Sequence, residues 1–404
     1  MFKIKIDFEK SHGSYLHDKN ANADFLDFFG QYASLPLGYN HPVFSGEKFS
    51  KEYMRIAGIK VTNCEIISDE AQEFLKEFSG HPAMSAFVYF HFCCTGALAI
   101  ESAIKTAIDY KGSAHPVVIS LKESFHGINS YGGFLTDRFY PVSTRLDGFP
   151  ELGWYKIHNP KIIYHEDGGI NEIATAQGLR QFIEEFETCV AKCGAENIAA
   201  LLIEPIQSTY GDNYFPREFF TTIRSLCDQY NICLIFDEVQ TGFGGTGTMW
   251  YFEQTGIIPD ITVFGKKVQV SGIMVKEKFG KIFDTPVRLE VTWDGTLSDM
   301  VRGKYVLRTY QAENILENVR MRSAELTNGL SRLPLRNLRS AGLLVAFDLK
   351  DGPTRDAFFQ ALIKERFLCN KTRERTIRLR PQLAVSKDEV EDALTRIQRV
   401  LTPV

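Results

Sequence analysis

The sequence predicts an α/β protein in which a mostly parallel sheet is flanked by helices. Three observations predict it. Short aliphatic runs alternate with amphipathic stretches, the order expected of strands crossed over by helices. Those runs are apolar on both faces, as strands buried beneath two helical layers must be. At 404 residues, the chain is long enough for one large α/β core with an elaborated edge, or for several domains.

The elements follow in order. Phe87–Cys93, Pro116–Leu121, Ile198–Ile203, Cys233–Phe236, Ile261–Phe264 and Gly272–Val275 are the candidate strands. Gly96–Tyr110, Ala176–Lys192 and Arg217–Tyr230 carry apolar residues at three- and four-residue spacing, so helices are expected there. After Leu297 the texture changes. Ser298–Leu333 reads largely as one long helix with Ser298 as its N-cap. A smaller unit follows: strand Leu343–Leu349, helix Arg355–Glu365, strand Thr376–Leu379 and helix Lys387–Leu401. Ser386 with Glu389 makes a capping box for that last helix.

Composition narrows the function. Hydrophobic content of 44% and charged content of 24% are those of an ordinary soluble globular chain. A formal net charge of −4 gives no reason to expect nucleic acid or an anionic membrane as partner. The start, Met1-Phe-Lys-Ile-Lys-Ile-Asp7, alternates apolar and charged residues and has no signal-peptide core, so a cytoplasmic enzyme is expected. Eight cysteines without a C-x-x-C pair, and histidines without an H-x-x-x-H pair, read as free thiols in a reducing compartment rather than a metal site.

The chemistry gathers at the ends of the candidate strands. Gly265-Lys266 closes one apolar run, and Asp237 closes another within Leu234-Ile-Phe-Asp-Glu-Val-Gln-Thr-Gly242. A buried lysine can lose its proton and attack a carbonyl, and an aspartate can hold the ring nitrogen of an aromatic cofactor. Those are the two groups a pyridoxal phosphate enzyme needs most. A strand-closing lysine is also what a solvated surface charge looks like, so the surroundings must decide.

Thr95-Gly96-Ala97 follows a strand and opens a helix; its unpaired amides suit a phosphate as well as an ordinary cap. Ser124-Phe125-His126-Gly127 places an aromatic at the same sheet edge, able to stack on a planar cofactor or to pack in the core. Glu204-Pro-Ile-Gln207 and Asp237-Glu-Val-Gln240 end strands with acids pointing off the sheet, where ligands of such folds bind. The glycines Gly242, Gly244, Gly245 and Gly247 match neither a Walker nor a dinucleotide fingerprint.

Taken in order, T-G-A-L-A-I-E-S-A-I-K, S-F-H-G, E-P-I-Q, I-F-D-E-V-Q-T-G, F-G-K-K, T-W-D-G and L-R-P resemble the class III aminotransferases of the fold type I pyridoxal phosphate enzymes. Within that class, Gly38-Tyr-Asn-His-Pro42, Phe264-Gly-Lys-Lys-Val-Gln-Val270 and Leu297-Ser-Asp-Met300 are similar to the wording of the lysine 6-aminotransferases. The likeness runs from about Gly13 to the last helix.

The resemblance implies a large cofactor-binding domain over residues 46–300. It implies a smaller α+β domain from 1–45 and 301–404, the latter including the long interdomain helix. Lys266 would hold pyridoxal 5'-phosphate covalently and move the proton during transfer, with Lys267 as its neighbour. Asp237 would keep the pyridine nitrogen protonated. Phe125 and Val239 would enclose the ring, Gln240 would bond its phenolic oxygen, and His126 and Glu204 would complete the surroundings. Thr95, Gly96 and Ala97 would hold the phosphate, with Thr292 donated by a second subunit of a homodimer. The reaction would be ping-pong, an amine donor followed by an oxo acid acceptor such as 2-oxoglutarate.

Three positions depart from that pattern. Where those enzymes follow F-H-G with a carboxylate-gripping arginine, this chain has Ile128. Where they read E-P-I-Q-G-E, it has Thr209 in place of the second glutamate. Where they have an asparagine before the threonine, it has Glu290. Arg380 remains, and without the glutamate it is expected to stay available for a substrate carboxylate. The altered clamp points to a donor other than lysine, a larger or less acidic amine. A decarboxylase, epimerase or aminomutase on the same fold, and a non-catalytic binding relative, are the rival readings.

Overall fold

Ile198–Ile203 and, up to its closing aspartate, Cys233–Asp237 are so uniformly apolar that neither can present a face to water, and they form the centre of a seven-stranded sheet. In a computed structural model of the protein, which describes residues 2–137, 152–166 and 168–401, the strands run in the order Tyr89–Cys93, Ser271–Val275, Ile261–Phe264, Cys233–Asp237, Ile198–Ile203, Val117–Leu121, Tyr155–Ile157. The five from Ile261–Phe264 onward are parallel. Ser271–Val275 is antiparallel to both neighbours. The sheet is thus mostly parallel, as the sequence predicts.

Alternate side chains leave the sheet on opposite sides and enter two cores. Leu201, Ile203, Leu234, Phe236 and Phe264 join Phe74, Phe78 and Trp250 on one face. Ala200, Leu202, Ile235 and Val263 meet Ala99, Ile100, Ala103, Ile104 and Ala107 on the other. Those last five are the inward stripe of the helix Gly96–Lys111. Thr95 starts that helix by accepting from the Leu98 amide at 3.3 Å, and Gly112, left-handed at φ 66°, ends it. The cap and the apolar stripe agree on one helix, whose start then faces the carboxyl ends of the parallel strands.

Two smaller sheets sit beyond this layer. Arg336–Ala341, Leu344–Asp348, Thr376–Leu379 and Asn370–Thr372 pair antiparallel. Ile6–His12, Tyr15–Asp18 and Ala23–Asp27 form the other, joined by Phe367–Leu368 in parallel, so both ends of the chain share a sheet. The Ser386–Glu389 capping box forms with both bonds, at 2.7 and 3.1 Å. Glu389 also accepts from the Ser14 amide at 2.6 Å, tying the last helix to the first strands.

The single helix expected over Ser298–Leu333 is two. Leu297–Ala312 is capped by Thr296, two residues before the expected Ser298, and Ile315–Leu330 follows a break at Asn314, left-handed at φ 51°. Asparagine tolerates that conformation better than other side-chain-bearing residues, so it marks the turn. Among the described residues no helix is long and apolar enough to cross a membrane.

Candidate active site

The carboxyl ends of four parallel strands and the start of one helix converge on a cavity of about 310 Å³. Its lining includes Gly96 and Ala97 of the helix start, Phe125, His126 and Ile128 after the strand Val117–Leu121, and Glu204 and Thr209 after Ile198–Ile203. Asp237, Val239, Gln240 and Lys266 complete it. Small residues make this convergence possible. A Cβ on Gly96 would lie 3.2 Å from both methyls of Val239, and one on Gly127 would lie 3.1 Å from Ala97 Cβ. Gly127 also has φ 93°, which a side chain disfavours.

Asp237 is held in place from two sides. His126 Nδ1 faces its Oδ2 at 2.9 Å, and the Val239 amide donates to Oδ1 at 3.2 Å. Behind it, Glu204 accepts from the amides of Phe125 at 2.8 Å and Ser208 at 3.2 Å. Burial first, then the Asp237 charge, push the Glu204 carboxyl up to about 8. Two carboxyl groups therefore share this wall, and burial beside a second acid makes Glu204 hard to ionise.

Lys266 follows the strand Ile261–Phe264 in the left-handed region, φ 52°. Burial, then the positive charge of Arg378, lower its amine to about 8 against the opposing charges of Asp237 and Glu204. With the Gln240 amide turned to satisfy its neighbours, its oxygen accepts from Lys266 Nζ at 2.9 Å and its NH₂ donates to the Tyr32 carbonyl at 3.3 Å. That carbonyl belongs to a turn, Gly30–Ala33, in which four successive residues have φ of 50–62°. Gly30 packs directly on the Arg380 carbonyl, where no side chain fits. Nothing in the sequence beyond Gly30 signals this turn. Lys267 points elsewhere: it is buried and donates to the Gln240 carbonyl at 2.7 Å.

Four candidates lie outside the cavity lining. The Thr95 hydroxyl is engaged as the helix cap. Thr292 and Glu290 sit on a separate loop, where the Thr292 carbonyl accepts from the Thr62 hydroxyl and Glu290 from the Leu289 amide at 3.1 Å. Arg380 corrects an expectation. It is not available: Nη2 bonds both oxygens of Asp212, at 2.7 and 2.6 Å, and Nη1 donates to the Leu379 carbonyl at 2.9 Å. Both side chains are sealed from solvent. Asp212 is 168 positions away in the chain, and no local pattern announces the pair.

The residues present fit pyridoxal phosphate. A carboxylate fixed by two donors can face a ring nitrogen, unpaired amides at Gly96 and Ala97 can face a phosphate, and a lysine of lowered basicity can face an aldehyde. His126 Nε2 is buried without a protein partner, so the polar inventory of this wall is still incomplete.

Comparison with known proteins agrees. The family model for class-III aminotransferases matches residues 2–401, and the chain belongs to that family. It is therefore a pyridoxal-phosphate-dependent aminotransferase. Among its relatives, the L-lysine-epsilon aminotransferase of Mycobacterium tuberculosis is 35% identical over 99% of this chain and 92% of its own. That of Streptomyces clavuligerus is 32% identical over 100% and 92%. The solved lysine aminotransferase from M. tuberculosis, in its internal aldimine form, superposes with a TM-score of 0.93 at 32% identity, covering 99% of this chain and 95% of that one.

Proposed function

We propose that Lys266 and Asp237 are the catalytic pair, and that the enzyme moves a terminal amino group from a donor to an oxo acid such as 2-oxoglutarate. What carries this reading is the meeting of a lysine of lowered basicity with a doubly anchored aspartate in one cavity. When bound, pyridoxal phosphate supplies an electron sink for the bond broken at the substrate carbon. The protein supplies the rest. The Lys266 amine, half protonated near pH 8, can both accept a proton from carbon and return it. Asp237, oriented by His126 and the Val239 amide, holds the proton on the ring nitrogen. Phe125 and Val239 exclude water beside the ring, Gln240 directs the Lys266 amine, and the Gly96–Ala97 amides take the phosphate.

We further propose a cytoplasmic homodimer in which Thr292 serves the second subunit's site. Thr292 is exposed away from its own cavity, and Ile66, Ile67, Val287 and Val291 lie exposed, at 58, 79, 74 and 53%. So much apolar surface is what a partner would cover. Decarboxylase, epimerase or aminomutase chemistry and a non-catalytic role are not favoured beside these relatives.

The test is spectral. Purified enzyme should absorb in the visible, shift when a donor amine is added, and recover only on adding an oxo acid. Turnover without any oxo acid would overturn the proposal.

A further inference from the structure

Lys266 and Lys267 leave one turn and take hold of one glutamine. That turn, Lys266–Val268, follows the strand Ile261–Phe264 and ends at Gln269, left-handed at φ 75°. The two side chains diverge from it. The Lys266 amine bonds the side-chain oxygen of Gln240 at 2.9 Å, and the Lys267 amine donates to the Gln240 main-chain carbonyl at 2.7 Å. Gln240 is thus clasped at both ends, with its NH₂ on the Tyr32 carbonyl at 3.3 Å.

One of the four glycines singled out in the sequence has its use here. A Cβ on Gly245 would lie 2.8 Å from Lys267 Cε and 3.3 Å from its Nζ, so the path of this amine needs a residue without a side chain. The segment around Gly245 is fastened independently of Lys267. The Tyr310 hydroxyl donates to the Phe243 carbonyl at 3.0 Å, and the Leu343 amide to the Gly245 carbonyl at 2.9 Å. Lys267 is 2% exposed, and among the described residues no carboxylate bonds it. Burial, then the positive charges of Lys266 and Arg380, hold its amine well below the ordinary lysine value against the pull of Glu238. It is therefore a neutral donor. An aliphatic side chain would fill the same space without the cost of burying an amine.

We propose that Lys267 is a positioning residue for the transfer: by holding the Gln240 main chain, it sets the Gln240 side chain against the Lys266 amine. It acts through Gln240 and not through charge. The charged groups that face Lys266 are Arg378, Asp237, Glu204 and Arg380. The inference rests on the reading of Lys266 as the reacting amine and adds the residue that orients it.

The test is a cycle of Lys267→Met, Gln240→Ala and the double variant, made on the full chain freed of cofactor. Methionine keeps an unbranched side chain beside Gly245 and loses the donor. Trace labelling of Lys266 with acetic anhydride, read by mass spectrometry across pH, gives the midpoint of its amine. Visible absorbance gives the rate at which pyridoxal phosphate is captured. A carbonyl oxygen favours the charged form of the amine it accepts from, so loosening Gln240 should lower the midpoint from about 8. The expected fall in Lys267→Met is roughly half a pH unit or more, with capture slowed by about tenfold. Gln240→Ala should do as much and the double variant no more, because the carbonyl held by Lys267 then has no amide to place. Gly245→Ala displaces Lys267 from its other side and is the second variant, with the same expected direction. A midpoint that rises in Lys267→Met would mean that Lys267 acts by charge. Losses that add in the double variant would mean that it only supports the fold. Either result, or wild-type values in folded Lys267→Met and Gly245→Ala, would overturn the inference. If wild type captures no cofactor, the reading of Lys266 fails, and the labelling midpoints still decide the role of Lys267.

Discussion

The two halves of the cavity are built from different material. The cofactor half is made of strand ends and a helix start: Asp237 closes Cys233–Asp237, Lys266 follows Ile261–Phe264, and Gly96 opens Gly96–Lys111. Each rests on a strand or helix whose core residues are sealed on both sides of the sheet. The half proposed to meet the substrate is made of turns, with Ile128 and Thr209 both in irregular backbone. Main-chain position at a strand end is fixed by the whole ladder, whereas a turn can change its side chains without disturbing the sheet. The proposed chemistry and the proposed specificity thus sit on supports of unequal tolerance, and each half can be broken separately.

The largest effect is expected from Lys266→Ala. Losing the proton carrier alone should lower turnover by roughly 10²–10⁴-fold or more, and the visible absorbance of covalently held cofactor should vanish. Asp237→Asn comes next. It keeps the shape and removes the charge facing His126 Nδ1, so kcat should fall by about 10²–10³-fold. Cofactor retention, measured by absorbance after gel filtration, separates lost chemistry from lost binding. A variant with near-normal kcat would remove Asp237 from the mechanism.

The pH dependence sharpens the same half. Burial and the Arg378 charge lower the Lys266 amine to about 8, so below that pH it is protonated and cannot attack an aldehyde. The rate at which cofactor-free protein takes up pyridoxal phosphate should climb with pH up to about 8 and then level. A rise that continues toward 10.5, the ordinary lysine value, would mean that the cavity does not tune this amine. Linkage has a definite sign as well. Above about pH 8 the folded chain holds fewer protons at this site than the unfolded chain, so stability from Lys266 grows with pH across that window.

The same division decided what could be read from sequence. The central strands were legible because burial on both faces forces unbroken aliphatic runs, and Lys266 and Asp237 were legible because each closes one. Tyr155–Ile157, three residues long, and the N-terminal strands, with Phe8 left 73% exposed, lack such a run and gave no strand signal. The Asn314 break was hidden by apolar spacing that continues through it. Arg380 looked available because its partner is remote in the chain, and the left-handed turn at Gly30–Ala33 depends on packing against Arg380. Long-range ion pairs and strained turns are products of the tertiary structure, so a local pattern does not contain them.

The smallest effects compare one residue from each half. Gly127→Ala puts a methyl group 3.1 Å from Ala97 Cβ at a φ of 93°, a conformation costing about 1–3 kcal/mol for a residue with a side chain. Thr209→Ala removes a side chain from a turn fastened through main-chain atoms, since it is the Thr209 carbonyl that Thr372 holds. Its effect on stability should stay within about 0.5 kcal/mol. Urea titration of both variants gives the two numbers directly. If Thr209→Ala is as destabilising as Gly127→Ala, the turn depends on its side chains as the cofactor wall does. Donor specificity would then be no freer to change than the position of Lys266.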